Sequence, residues 1–360
     1  MRGDDVVIVG GGLIGCSLAL RLAEEKLRVT VVERGEPGQE ASWAAAGMLA
    51  PTAEVVHAPG EAELAKASAA LYPTWVQNLE ERAKVEVGYR TEGTLLVAFD
   101  PKEASYLGAL PGEPLTSEQA RRLEPALSER VLGARLLPSD RQVDNRRLFE
   151  ALLRAARGAG VRFQTGSRGR ELLVASGRAT GVQTAEGTRL EAGAVVNAAG
   201  CWASALEPGG ARLTPTKPIR GQMVALRAAP GFLRHVVRSA RAYIVPRARL
   251  LLGTTMEDVG YDKSVTPGGL RRILAGATEI VPALAERPFE AAWAGLRPDT
   301  PDHLPLLGPT DIENYFVATG HFRNGILLAP ITAELLTETL LGRQPRLPLE
   351  PFSPLRFAHN

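Results

Sequence analysis

The sequence predicts an α/β chain, α+β overall, in which a parallel-sheet part and a mixed or antiparallel-sheet part are interleaved. Three observations carry this. A β-α-β pattern with a glycine-rich first turn opens the chain. Buried-strand patterns of the same kind return near its middle and its end. Between them lie strand candidates separated by glycine turns and long helices. At 360 residues the chain exceeds one ordinary domain, so two parts, each discontinuous in sequence, are expected.

The elements follow in order. Val6–Val9 is β-branched with no polar alternation, as in a strand buried on both faces of a parallel sheet. The loop of residues 10–15 comes next, then an apolar-periodic helix from Cys16 to Glu25 and a second strand, Val29–Val32. Glu61–Arg82 reads as a long helix, with Leu64, Ala67, Leu71, Trp75 and Leu79 at helical spacing. Asn145–Ala159 is another, stopped by Gly160 and followed by strand Val161–Gln164. Leu172–Val174, Gly181–Thr184 and Thr188–Leu190 suit a small meander, and Ala194–Asn197 a buried strand. Further strands are expected at Gln222–Leu226, Ala242–Val245, Leu250–Gly253 and Tyr315–Ala318, with helices at Gly268–Ile280 and Gly325–Leu341. Arg343–Pro354 reads as a surface tail. The expected partition is 1–50, 145–215 and 298–360 for the nucleotide-binding part, and 51–144 and 216–297 for the other.

Composition removes whole classes. With 45% hydrophobic and 23% charged residues the chain can bury a large core. Forty-two basic against 40 acidic residues are too balanced for a nucleic-acid binder. Two cysteines, Cys16 and Cys201, make no disulfide framework or metal spacing, so a reduced, cytoplasmic setting is expected. The early apolar run is preceded by acids and broken by glycines, unlike a signal peptide. No run of about 18 apolar residues suggests a membrane span.

Gly10, Gly12 and Gly15 fit G-x-G-x-x-G between strand and helix. The first permits the tight turn, the second lets backbone approach a pyrophosphate, and the third packs helix on strand. The helix N-terminus offers N–H groups and partial positive charge to phosphates. Glu33 closes the second strand about 20 residues beyond the loop, where an acid accepts hydrogen bonds from ribose. Strand, loop, helix, strand and acid together give a Rossmann-like dinucleotide site, and leave FAD and NAD both open.

Two further segments favour FAD. Residues 41–48, ASWAAAGM, are small side chains suited to backbone lying close to a flat ring system. Residues 320–326, GHFRNGI, lead into the last helix, whose N-terminus would stabilise negative charge on a reduced flavin.

The motifs VVIVGGGLIG, Glu33-Arg34, ASWAAAGML, VVNAAGCWA, AYIVPR, GLRPDTPD and ATGHFRNGILLAP together resemble the D-amino-acid oxidase family of FAD amine oxidases, and within it the glycine oxidases of thiamine biosynthesis. The resemblance covers nearly the whole chain. It implies that Arg297 and Tyr243 hold a substrate carboxylate, that Arg323 lines the substrate pocket and that Met256 walls it. It implies FAD contacts at Leu13, Ile14, Glu33, Arg34, Ala41, Ser42, Ala46, Gly47, Met48, Ala198 and Gly200. The segment His321, Phe322, Arg323, Asn324, Gly325, Ile326 and Leu327 is implied likewise, and Arg168 as a backbone contact to adenine. A guanidinium stays charged and presents a fork matched to a carboxylate, and a Tyr hydroxyl adds a second donor. Without the motifs, Arg297 would read as a salt-bridge residue and Tyr243 as a core aromatic.

No cysteine follows the flavin segment, so FAD is expected to be non-covalent. The five histidines (57, 235, 303, 321, 359) form no triad or metal cluster, and no metal is expected. Arg141, Arg146, Arg147, Arg154 and Arg157 read as a solvated face. The expected activity is oxidation of glycine, or of sarcosine or a small D-amino acid, to the imine and 2-oxo acid, with hydrogen peroxide from oxygen. No side-chain base is required, because positioning and electrostatics suffice. Thiamine thiazole synthesis would consume the product, and a homotetramer is implied, with no nucleic acid or membrane partner. Alternatives are an oxidase or dehydrogenase of D-amino acids or sarcosine using another acceptor, and a flavin-binding docking or regulatory subunit without its own substrate.

Overall fold

The computed structural model describes residues 3–53, 60–206 and 213–357. His57 and His359 lie outside them. Two eight-stranded sheets organise the chain. In the first, Tyr315–Thr319, Arg189–Asn197, Asp4–Val9, Val29–Val32 and Arg162–Gln164 run parallel in that order, with Leu306–Pro309 antiparallel at one edge. Alternation explains the apolar run of the first strand. Val6 and Ile8 face helices Leu13–Glu24, Asn145–Gly158 and Gly325–Leu340, whereas Val7 and Val9 face the meander Gly169–Ala175 and Arg178–Thr184. Two expected strands, Thr188–Leu190 and Ala194–Asn197, are one. Arg189–Asn197 pairs with the meander through its exposed half and enters the parallel sheet through its buried half.

The second sheet has the order Phe289–Asp299, Lys217–Leu226, Leu250–Gly253, Tyr243–Pro246, Val236–Arg238, Thr94–Ala98, Gly133–Leu137, Glu113–Thr116. It is antiparallel except where Val236–Arg238 meets Thr94–Ala98. Helix Pro267–Ile280 covers one face. The other face carries Met223, Tyr243 and Trp293, and packs on Ala44 and Ala46 of the small-residue segment. That segment therefore lies between the two sheets.

Several expectations change. Helix Glu61–Ala83, placed by sequence with the second part, buries Leu64, Tyr72, Val76 and Leu79 against helices of the first sheet. Its apolar stripe fits the nearer core. The C-terminal stretch forms 3₁₀ turns that bury Phe352. Arg146 does not belong to a solvated face: its guanidinium lies 3.6 Å over the Trp43 ring, and burial lowers its pKa.

Candidate active site

Four parallel strands end at the same edge of the first sheet, and each opens into a segment of the site. Val9 leads to Gly10, Val32 to Glu33, Asn197 to Ala198, and Thr319 to Gly320. Ligands of open α/β sheets bind at this carboxyl edge. One pocket collects all the expected site residues except Gly15, Met256, Asn324 and Leu327.

The glycine loop is tight. Gly10 has φ +113°, and a Cβ there would stand 2.6 Å from the Ala198 carbonyl carbon. A Cβ at Gly15 would strike the Gly10 carbonyl, so Gly15 packs helix on loop and lies behind the pocket. At Gly12 the nearest atom would be Ser42 Oγ, 3.4 Å away, and Gly12 faces the pocket. Glu33 braces the loop: Oε2 accepts from Gly11 N at 2.8 Å and Oε1 from Gly35 N at 3.0 Å. Ser42 Oγ accepts from Leu13 N at 2.9 Å, tying the small-residue segment to the first helix N-terminus. Arg34 pairs with Glu40 and lies 3.5 Å over the Trp202 ring. Arg168 lines the loop end of the pocket beside Gly169, which packs on Val9.

The last helix points its N-terminus at the pocket through Gly325 and Ile326. Pro330 cannot donate to Ile326 O, and the buried Tyr72 hydroxyl donates to that carbonyl instead, while Ser68 Oγ donates to Leu327 O at 2.6 Å. Leu327 is thus a buried anchor. Asn324, at the helix cap, donates to Glu61 Oε1 at 3.2 Å. His321 is buried and within 3.0 Å of Thr332 Oγ1, and burial pushes its pKa down to about 3. It is neutral near pH 7 and cannot gain a proton there. Phe322 N donates to Pro298 O at 2.9 Å, joining this segment to the strand that carries Arg297.

At the far end of the pocket the second sheet presents Arg297 and Tyr243. Gly221 stands opposite Gly295, and a Cβ on Gly221 would lie 2.5 Å from Arg297 Cζ, so the guanidinium occupies the space a side chain would fill. Arg297 Nη2 donates to Thr254 Oγ1 at 2.8 Å and Nη1 to Thr255 O at 3.3 Å. Gly253 makes the same kind of room for the Tyr243 ring, whose hydroxyl is 3.2 Å from Met223 Sδ. Arg323 lines the pocket, with Nη1 3.9 Å from Met256 Sδ. Met256 itself is 53% exposed and meets the pocket lining at Arg323.

Sequence reasoning missed Trp202, Met223, Thr254 and Gly221, which line the pocket, and the strand Phe289–Asp299 that carries Arg297. A glycine inside a strand signals a close approach, and Gly221, Gly253 and Gly295 were the available signs. Cys201 also lines the pocket. It is buried, and burial pushes its thiol pKa up to about 12.

A pocket that runs from a phosphate-type glycine loop, past the small-residue segment 41–48, to a guanidinium and a phenol is the site of a flavin-dependent oxidoreductase. The residues fit the cofactor: the loop admits no Cβ at Gly10 or Gly15, and Gly12 is open where phosphate would approach. The chain belongs to the family described as "DAO: FAD dependent oxidoreductase", whose model matches residues 5–339. It is 36% identical to glycine oxidase of Geobacillus kaustophilus, over 97% of this chain and 96% of that protein. The crystal structure of that enzyme superimposes with a TM-score of 0.93, covering 99% of both chains at 35% identity. The bifunctional protein ThiO/ThiG of Synechocystis is 40% identical over 98% of this chain, which spans about half (54%) of that relative's length.

Proposed function

We propose that this protein oxidises glycine to the imine, which water converts to glyoxylate and ammonia, with oxygen as the acceptor that yields hydrogen peroxide. The observation that carries this reading is the pairing of Arg297 and Tyr243 in one pocket with the glycine loop, each lodged over a glycine. The names of the full-length relatives support glycine as the amine. FAD, when bound, supplies the two-electron acceptor for the substrate Cα–H.

The protein's own contribution is positioning. Arg297 takes the substrate carboxylate in a bidentate grip, and the Tyr243 hydroxyl donates to the same group. With Arg323 nearby, two cations face the substrate, which disfavours its ammonium form and keeps the amine lone pair available. The neutral, buried His321 takes no proton, so the substrate nitrogen supplies the push. Arg323 closes the outer wall, with the exposed Met256 outside it against the guanidinium. In this reading residues 1–50, 145–215 and 298–360 hold FAD, and 51–144 and 216–297 supply the substrate wall, with helix Glu61–Ala83 bracing the FAD side. Where the thiamine thiazole-forming partner is present, it captures the imine ahead of water, and the protein works in the cytoplasm as a homo-oligomer. Among the described residues no helix is long and apolar enough to cross a membrane.

Mixing the holoprotein anaerobically with glycine, sarcosine and D-alanine tests the reading. Glycine should bleach the flavin absorbance at least as fast as the others. Bleaching by D-alanine alone would replace glycine with a D-amino acid, and bleaching by none would refute an amine substrate of this class.

A further inference from the structure

Behind the small-residue segment lies a group that no role above uses. The Arg247 side chain is 9% exposed, and its nearest carboxylate is Asp144 at 3.4 Å, itself 30% exposed. Arg247 Nη2 donates to Ala46 O and, at 2.6 Å, to Val143 O, while Nη1 donates to Asn145 Oδ1 at 2.9 Å. Asn145 Nδ2 in turn donates to Ser42 O at 2.7 Å and Trp43 O at 3.1 Å. Trp293 Nε1 takes Ala44 O at 3.0 Å. Four carbonyls of residues 42–46 are therefore held by side chains that do not line the pocket, although Ser42, Ala44, Ala45, Ala46 and Gly47 do. A side chain at Gly47, where φ is +73°, would collide with Val143 O and the Arg247 guanidinium.

Burying a guanidinium without an equally buried partner is costly. Burial lowers the Arg247 pKa to about 10, which still leaves it charged at neutral pH. Backbone carbonyls turned toward a reduced flavin would repel its negative charge, and a cation behind the segment would attract it. We propose that Arg247, with Asn145, is a positioning residue. It draws the carbonyls of residues 42–46 away from the flavin pocket and places a fixed positive charge behind the segment, so that FAD binds tightly and is biased toward its reduced form. This concerns the cofactor site and is independent of which amine is oxidised.

The test compares Arg247→Met, Arg247→Lys and Asn145→Ala holoproteins with the parent in two measurements that need no substrate, the FAD dissociation constant and the flavin midpoint potential. Loss of a charged hydrogen-bond donor should raise the dissociation constant of Arg247→Met about tenfold or more, and its potential should move negative. Arg247→Lys keeps the charge and should hold its potential near that of the parent. If Arg247→Met does not fold, Asn145→Ala keeps the cation but frees the Ser42 carbonyl and leaves Trp43 O to the longer Arg146 Nε bond at 3.4 Å, and its potential should still move negative. A melting temperature that falls while both potentials stay at the parent value would overturn the proposal and make the pair a structural brace.

Discussion

Replacing Arg297 by Ala removes the group that this account places on the substrate carboxylate. The guanidinium is half-buried and oriented by Thr254 and Thr255. Truncating one partner of a desolvated charge pair costs about 2–5 kcal/mol, and a half-buried site belongs in the lower part of that range. About 2–3.5 kcal/mol corresponds to roughly a 30- to 400-fold fall in kcat/KM for glycine. Arg297→Lys should recover only part of it, since a point charge lacks the fork. Gly221→Ala offers a second perturbation. Its new Cβ would stand 2.5 Å from Arg297 Cζ, forcing the guanidinium out of its seat with the charge retained. It should cost tenfold or more in kcat/KM, an order-of-magnitude figure for losing one oriented charged hydrogen bond. The assay is steady-state peroxide formation, with FAD affinity measured alongside. A small amine without a carboxylate is the control, and its slow oxidation should be nearly indifferent to both substitutions. If that amine and glycine lose rate equally, Arg297 supports the site as a whole and the clamp reasoning fails.

Three further outcomes are expected. Glu33→Ala should weaken FAD binding by about 10- to 150-fold, the equivalent of about 1.5–3 kcal/mol for one charge-assisted hydrogen bond, because it also strips the acceptor from Gly11 N and Gly35 N. Titration of apoprotein with FAD measures it, and an unchanged constant would demote Glu33 to a strand-end charge. Acid precipitation should release FAD into the supernatant: Cys201 lines the pocket, but burial keeps its thiol protonated, and a thiol makes a poor nucleophile. Colour retained on the pellet would show a covalent link. His321, held near pKa 3 by burial against an ordinary 6.5, favours the fold in full above about pH 6.5 and loses that contribution as pH falls toward 3. The free energy of urea unfolding should therefore fall by up to about 1.4 kcal/mol per pH unit as pH drops through that window, and less steeply in His321→Gln. Parallel pH profiles of the two proteins would exclude the effect.

The first β-α-β unit and the last helix were legible because their signals are local: an apolar run, a glycine turn and a helical period. The motifs of the pocket were legible too, and the structure brings most of their residues to one edge of the first sheet. What the sequence hid depends on non-local contact. Strand Phe289–Asp299 contains alanines, a glycine and a proline, has no β-branched residue and has two aromatics, Phe289 and Trp293, so propensity gives it a weak signal, and pairing with Lys217–Leu226 reveals it. Helix Glu61–Ala83 was recognised, but not the core it joins, because an apolar stripe does not name its partner. Arg247 stood within a recognised motif, yet its contacts reach 104 residues back to Val143 and 201 back to Ala46. Met256 was expected on the pocket wall and stands mostly in solvent, with Arg323 between.

The central claim is that the pocket joins an FAD site to a carboxylate clamp for a small amino acid. Product stoichiometry with purified holoprotein and glycine under air tests it most directly. One hydrogen peroxide, one ammonia and one glyoxylate are expected for each oxygen consumed, with activity abolished when FAD is removed and restored when it is returned. Holoprotein that carries FAD, forms no peroxide or glyoxylate from glycine and keeps its flavin oxidised in the presence of glycine would contradict it.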